Sequence, residues 1–187
     1  FVGELGYEIH LPVNQAQPVW THLMEQGTAA GLQPFGIEAQ RLLRLEKGHL
    51  IVGHDTDALT NPLEADLSWA LADSKPFYVG SRSLQIIRQR PLERQLVGLR
   101  FPNHHPGPWP EECHLLYDGD QVIGRITSIS SRSTLGGGIA MGFVHPDLAT
   151  PETALQVQVT DGSRVPVEVS GLPFYDPENE RQQLPAD

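Results

Sequence analysis

With 187 residues and 39% hydrophobic content, the chain is long enough for one large domain or two small ones built on a real core. Its formal net charge of −10 at pH 7, with no basic run longer than two residues, argues against nucleic acid and anionic membrane surfaces, which need a basic patch. Cys113 is the only cysteine, which rules out an internal disulfide and a cysteine-built zinc site and fits a reducing, cytoplasmic setting. No apolar run approaches the ~20 residues of a membrane span, and no signal-peptide pattern is present.

The chain opens on FVGELGYEIHLP, Phe1–Pro12, without an initiator methionine. Apolar Tyr7, Ile9 and Leu11 alternate with Glu8 and His10, which predicts a β-strand with the two polar side chains on one face. A strand this early needs a pairing partner from elsewhere, so the expectation is a piece of a larger protein whose remainder lies upstream. Asn14 to Pro18 then starts a helix, in which Val19, Trp20, Leu23 and Met24 recur at helical spacing up to Gly27, and Gly31 closes the segment. A second helix follows Pro34, with Ile37, Leu42 and Leu45 on one side and Gly48 at its end. Its Glu38–Arg41 spacing is attractive and its Arg44–Lys47 spacing repulsive, so charge patterning alone does not explain it.

From His49 to Leu71 the chain is irregular, and a third short helix spans Ser81 to Gln89 before Pro91 stops it. Past Glu93 the character changes. Arg94–Phe101, His114–Tyr117, Gln121–Ile129, Gly138–Phe143, Ala154–Thr160 and Arg164–Val169 are short strand-like runs separated by turn signals such as Asp118-Gly119 and Asp161-Gly162. This spacing predicts an antiparallel barrel or sandwich. The fold class is therefore α+β, with an α+β part over 1–92 and a compact all-β part over 93–187.

Four stretches invite chemistry. Glu8 can accept two parallel hydrogen bonds from a heterocycle edge carrying adjacent N–H and NH₂ donors, although a solvated strand face is the plainer account of it. His54-Asp55-Thr56-Asp57 pairs a histidine with two carboxylates, but Asp and Thr are ordinary turn residues and the ligand density is too low for a calcium loop. The adjacent His104 and His105 point in different directions from a proline-rich loop, a poor start for metal ligation. Leu135-Gly136-Gly137-Gly138 lacks the helix that follows a phosphate-cradling loop, and so is a tight turn entering a strand. No nucleophilic Ser/His/Asp or Cys/His arrangement stands out.

Taken in order, GELGYEIHLP, GIEAQRLLRLEKGHLIVGHDTDALTNPLEADLSWAL, KPFYVGSRSL and GRITSISSRSTLGGGIAMGFVHP resemble the C-terminal half of the aminomethyltransferase family. That family includes the T-protein of the glycine cleavage system and the folate-binding halves of sarcosine- and dimethylglycine-oxidising enzymes. The resemblance runs from Phe1 to about Tyr175, and RLEKGHLIVGHDTD and PFYVGSRSL look closer to the sarcosine oxidase α-subunit branch. It implies a partial ferredoxin-like α+β region followed by a C-terminal antiparallel β-barrel, arranged with upstream segments around a folate channel.

The resemblance also assigns residues. Glu8 matches the family glutamate that holds the pterin ring, and Tyr7 flanks it. Trp69, in the LSW motif, matches an aromatic residue lining the folate site. The family's helix arginine falls on Gln40; the neighbouring Arg41 is the nearest cation, about 100° further round a helix of 3.6 residues per turn. The family's catalytic aspartate belongs to the N-terminal half, so no catalytic residue and no metal ligand is assigned here. The implied activity is capture of a one-carbon unit from an oxidised methylamine by tetrahydrofolate, giving 5,10-methylenetetrahydrofolate. FAD is expected on another domain or subunit. The implied partners are the N-terminal remainder of the same protein and a flavin-containing oxidase subunit, and this chain is expected to be inactive alone. A T-protein-like aminomethyltransferase of glycine cleavage and a non-catalytic folate-binding or assembly module are the alternatives.

Overall fold

The computed structural model describes every residue except Asp73 and 185–187. Six strands form the second part of the chain: β1 (Gln95–Arg100), β2 (Leu115–Asp118), β3 (Gln121–Ser130), β4 (Ile139–Val144), β5 (Ala154–Gln158) and β6 (Arg164–Ser170). All the neighbouring pairs are antiparallel, and the order β1-β4-β3-β2-β5-β6 closes on itself through β1 and β6. Every strand run expected past Glu93 is present, and the closed barrel, not the sandwich, is the arrangement adopted. Closure gives each strand two hydrogen-bonding neighbours and leaves no open edge.

Alternation explains what fills the barrel. Val165, Val167 and Val169 of β6 point inward with Leu155 and Val157 of β5, and meet Val97, Leu99, Leu116, Ile126, Ala140 and Val144. β4 is buried along its whole length because its other face is covered too. There Ile139, Met141 and Phe143 pack with Leu96 of β1 into a second cluster, completed by Leu45 and by Phe174 from the C-terminal segment. Gly98 makes room for that ring, since a Cβ on it would lie 2.8 Å from the Phe174 ring edge.

Leu45 belongs to the helical part, which holds α1 (Ala16–Gly27), α2 (Ile37–Glu46) and α3 (Ser81–Ile87). α2 packs on the barrel through Leu45, whereas α1 buries no residue. Gly31 closes the first segment in the left-handed conformation expected of it.

One expectation is corrected. Tyr7 to Leu11 does not form a strand, and no strand precedes Gln95 among the described residues. Period-two alternation specifies which face a side chain takes, but a strand also needs a neighbour to complete its ladder, and no other described segment pairs with this one. The opening residues are held otherwise. Leu5 N donates to Arg181 O at 2.9 Å, His49 Nδ1 lies 2.7 Å from Phe1 O, and the Tyr175 hydroxyl donates to Glu4 at 2.8 Å. No helix among the described residues is long and apolar enough to cross a membrane.

Candidate functional site

The helical part is fastened to the barrel by a buried polar cluster centred on Asp55. Its Oδ2 accepts from Arg44 Nη1 at 2.7 Å and from the Ile51 amide at 2.8 Å. Its Oδ1 accepts from the hydroxyls of Thr127 at 2.7 Å and Ser128 at 2.5 Å, and Arg44 Nη2 donates to Ser128 Oγ at 2.7 Å. Two successive strand residues ordinarily face opposite ways. Here β3 has a bulge between Ile126 and Ser128 opposite β4, and the extra residue turns both hydroxyls onto one carboxylate. Burial pushes the Asp55 carboxyl up, but the Ile51 amide, the Ser128 and Thr127 hydroxyls and the Arg44 guanidinium together hold it below the usual carboxylate range. Asp55 is thus a structural anchor, with both oxygens fully engaged inside the fold.

Two further ties reach across the same junction. Buried Glu46 accepts from Thr134 N at 2.6 Å and Thr134 Oγ1 at 2.7 Å. Arg94 bridges Asp57 (3.0 Å) and Glu64 (3.2 Å), clamping the loop between α2 and α3 to the start of β1. Its hydrogen bond holds the Asp57 carboxyl far below its ordinary range.

The residues assigned by resemblance lie on the outside of this frame. The Glu8 side chain is 89% exposed, and its ionic partner is His10 Nε2 at 3.3 Å, itself exposed. Tyr7 is 82% exposed and Trp69, in a single helical turn Ser68–Ala70, is 79% exposed. Trp69 directly precedes Ala70 and Leu71, which line an apolar groove of about 630 Å³ with Leu59, Pro62, Val79 and Ile87. Arg41 projects from α2, paired with Glu38 at 3.3 Å, and lines a different, smaller concavity of about 240 Å³ with His54, Glu112, Ser128 and Ser130. Glu8, Tyr7 and Trp69 line neither concavity, so the described chain does not gather the four residues into one enclosed pocket. What it presents is a carboxylate with open acceptor sites, two exposed aromatic rings and an exposed guanidinium. These can engage, respectively, paired N–H donors, a planar heterocycle and an anionic tail.

The sequence gives no local signal for the Arg44–Asp55–Ser128 cluster, because Arg44 and Ser128 are 84 residues apart. The His54–Asp57 run that suggested metal or acid–base work is divided: Asp55 faces inward, while Asp57 binds Arg94 and Thr60. Among the described residues, no group of three or more His, Cys, Asp or Glu side chains is placed to hold a metal ion.

Comparison with known proteins bears on both parts of the chain. Residues 1–75 match the family described as the GCVT N-terminal domain, and residues 94–176 match the glycine cleavage T-protein C-terminal barrel domain. An aminomethyltransferase of Halothermothrix orenii is 39% identical over 174 residues, covering 93% of this chain and 48% of that protein. One from Thermosynechococcus vestitus is 39% identical over 179 residues, covering 94% and 46%. Among solved structures, the glycine cleavage system aminomethyltransferase T from Bartonella henselae superposes with a TM-score of 0.74 at 26% identity, covering 88% of this chain and 45% of that one. The chain spans about half the length of the curated relatives it matches.

Proposed function

The chain belongs to the aminomethyltransferase family of the glycine cleavage T-protein, and from that premise we propose that it supplies the C-terminal part of a tetrahydrofolate-dependent aminomethyltransferase. The observation that carries this reading is the match of both family regions, in order, to relatives named as aminomethyltransferases. In the proposed reaction an aminomethyl group arrives bonded to a sulfur of a lipoylated carrier. Its C–S and C–N bonds break, releasing the dihydrolipoyl thiol and ammonia, while its carbon forms two bonds to tetrahydrofolate nitrogens to give 5,10-methylenetetrahydrofolate, the folate being a substrate and not a resident cofactor. Glu8 accepts the paired N–H donors of the pterin edge in place of its contact with His10, Trp69 and Tyr7 flank the ring, and Arg41 meets the anionic tail. The site is completed by an N-terminal portion, docked against apolar side chains that residues 1–92 leave exposed, such as Leu59 and Val79. A cytoplasmic setting suits a chain whose one cysteine is an exposed free thiol.

A second reading rests on the wording RLEKGHLIVGHDTD and PFYVGSRSL, which leans toward the sarcosine oxidase α subunit. There the one-carbon unit would come from a methylamine oxidised at a flavin held by another domain or subunit. The assay that separates them follows 5,10-methylenetetrahydrofolate formation by the full-length protein. Turnover that requires the lipoylated carrier supports aminomethyl transfer. Turnover that ignores the carrier but requires a flavin subunit and a methylamine overturns it in favour of the second reading. Absence of any tetrahydrofolate binding by the full-length protein in calorimetry would leave a non-catalytic assembly role. Glu8→Ala in the same protein is expected to weaken tetrahydrofolate binding by about 1.5–3 kcal/mol, the loss of hydrogen bonds to a charged group; unchanged affinity removes Glu8 from the site.

A further inference from the structure

The histidine pair and the glycine run, neither used by the proposed reaction, meet at one end of the barrel. The loop after β1 and the loop between β3 and β4 form the two walls of a concavity of about 480 Å³, lined by Asn103, His104, His105, Trp109, Ser131 and Arg132 among others. The glycines allow the walls to approach. A Cβ on Gly137 would lie 2.7 Å from Asn103 Oδ1, and one on Gly138 would lie 2.6 Å from the Trp109 ring. Trp109 is fixed in turn by an edge contact with buried Phe101, ring centroids 5.8 Å apart. Hydrogen bonds from Ser133 N to Gly137 O and from Gly136 N to Ser133 O hold the second wall in shape.

The lining carries one fixed cation and no carboxylate. Arg132, His104 and His105 line the concavity and no carboxylate does, in a chain whose net charge is −10. The Arg132 guanidinium and the His104 ring make no hydrogen bond or ion pair with another described residue, and neither do the side chains of Asn103 and Ser131. His105 is differently placed: its Nε2 lies 3.1 Å from Pro108 O, and its ring stands edge-on to Trp109. Asp161, in the β5–β6 turn, is close enough to His105 for the two to interact electrostatically. Hydrogen bonds from Ser163 do most to hold its carboxyl below the usual range, with His105 contributing. His105 is therefore partly occupied, while the side chains of Arg132 and His104, one on each wall, make no hydrogen bond with a described residue.

We infer that this concavity is an oxyanion-binding site, in which Arg132 grips a phosphate or carboxylate group and His104, Asn103 and Ser131 donate to its remaining oxygens. A planar guanidinium offers paired N–H donors that match either group. The neutral donors complete an oxyanion's several acceptor sites, and the glycine-tight loops give the pocket fixed walls.

The test is a titration of the full-length protein with inorganic phosphate and, separately, with succinate, at constant ionic strength, following the imidazole resonances of His104 and His105. Saturable shifts are expected, and the probe that binds tighter identifies the source as phosphorylated or carboxylic. Arg132→Gln is expected to weaken binding by about tenfold to hundredfold, the range for losing hydrogen bonds to a charged group. Arg82→Gln, on exposed α3, is expected to leave it unchanged. Because Arg132 is exposed and carries no structural contact through its side chain, its replacement leaves the fold intact. Shifts that never saturate, or equal affinity in Arg132→Gln, overturn the site.

Discussion

In the barrel every strand has a neighbour on each side and an aliphatic core is enclosed, whereas residues 1–92 leave Trp20, Leu23, Leu59, Trp69 and Val79 in solvent. The two regions therefore depend on different physics. The barrel is held by its own ladders and by an aliphatic core. Residues 1–92 owe their placement to a few contacts with the barrel: Leu45 on the outer face of β4, and the hydrogen bonds around Asp55 and Glu46. A charged group inside such a junction is decisive in a way that no single core methyl is, because its removal strands a partner. The contrast is open to attack from either side.

Asp55→Asn is expected to have the largest effect. It leaves the buried Arg44 guanidinium without its counter-charge, which costs about 3–5 kcal/mol. If the two regions are as distinct as their contacts suggest, hydrogen exchange will show α2 and residues 49–64 losing protection while the strand amides keep theirs. Uniform loss across both regions would mean that the junction and the barrel unfold as one unit. Leu116→Ala attacks the other side. Leu116 is fully buried, and deleting its side chain is expected to cost about 2–5 kcal/mol through lost burial and the cavity left behind. Denaturant midpoints should fall for probes in both regions, because the helical part cannot stay ordered without the surface it packs on.

Acid sharpens the same comparison with a smaller effect. The Asp55 carboxyl titrates below its ordinary value of 3.8 in the folded chain, so the unfolded chain takes up the proton first. Its stabilisation is fully present above pH 3.8 and fades as pH falls from there through the folded value. Asp57, held down chiefly by its hydrogen bond with Arg94, acts in the same direction. Stability measured against pH should therefore fall below pH 3.8, and Asp55→Asn should flatten that fall. An equally steep decline in the variant would place the acid-labile group elsewhere.

The division of labour also explains what the sequence discloses. The strands of the barrel are legible because Val165, Val167 and Val169 alternate with polar neighbours and turn residues punctuate the runs. The three helices are legible from spacing and from Gly31 and Pro91 beside them. The opening strand is misleading, since alternation at Tyr7, Ile9 and Leu11 encodes a face and not a partner. The double burial of β4 is not local information: Leu45 of α2 and Phe174 from the far end of the chain cover its outer face. The Asp55 cluster is invisible for a related reason: its geometry depends on a bulge in β3, and nothing in Thr127-Ser128 announces one. The residues assigned to the folate site came chiefly from the resemblance, with Glu8 also singled out by its chemistry, and all of them are exposed here.

That last point separates binding from folding at Arg41. Its contact with Glu38 is an exposed pair one helical turn apart, with side chains 64% and 80% accessible. Pairs of this kind contribute about 0.5 kcal/mol or less, because water already screens both charges and holding two long side chains together costs entropy. Arg41→Gln is therefore expected to shift the denaturant midpoint hardly at all, the smallest effect of the set. Its consequence for ligand binding is independent of that. Should the same substitution weaken tetrahydrofolate binding in the full-length protein, the loss reports a direct contact with the anionic tail, since the helix carrying it is undisturbed. A clear loss of stability would instead show Arg41 fastening α2 to the barrel, and would withdraw it from the proposed folate contacts to the junction beside Arg44.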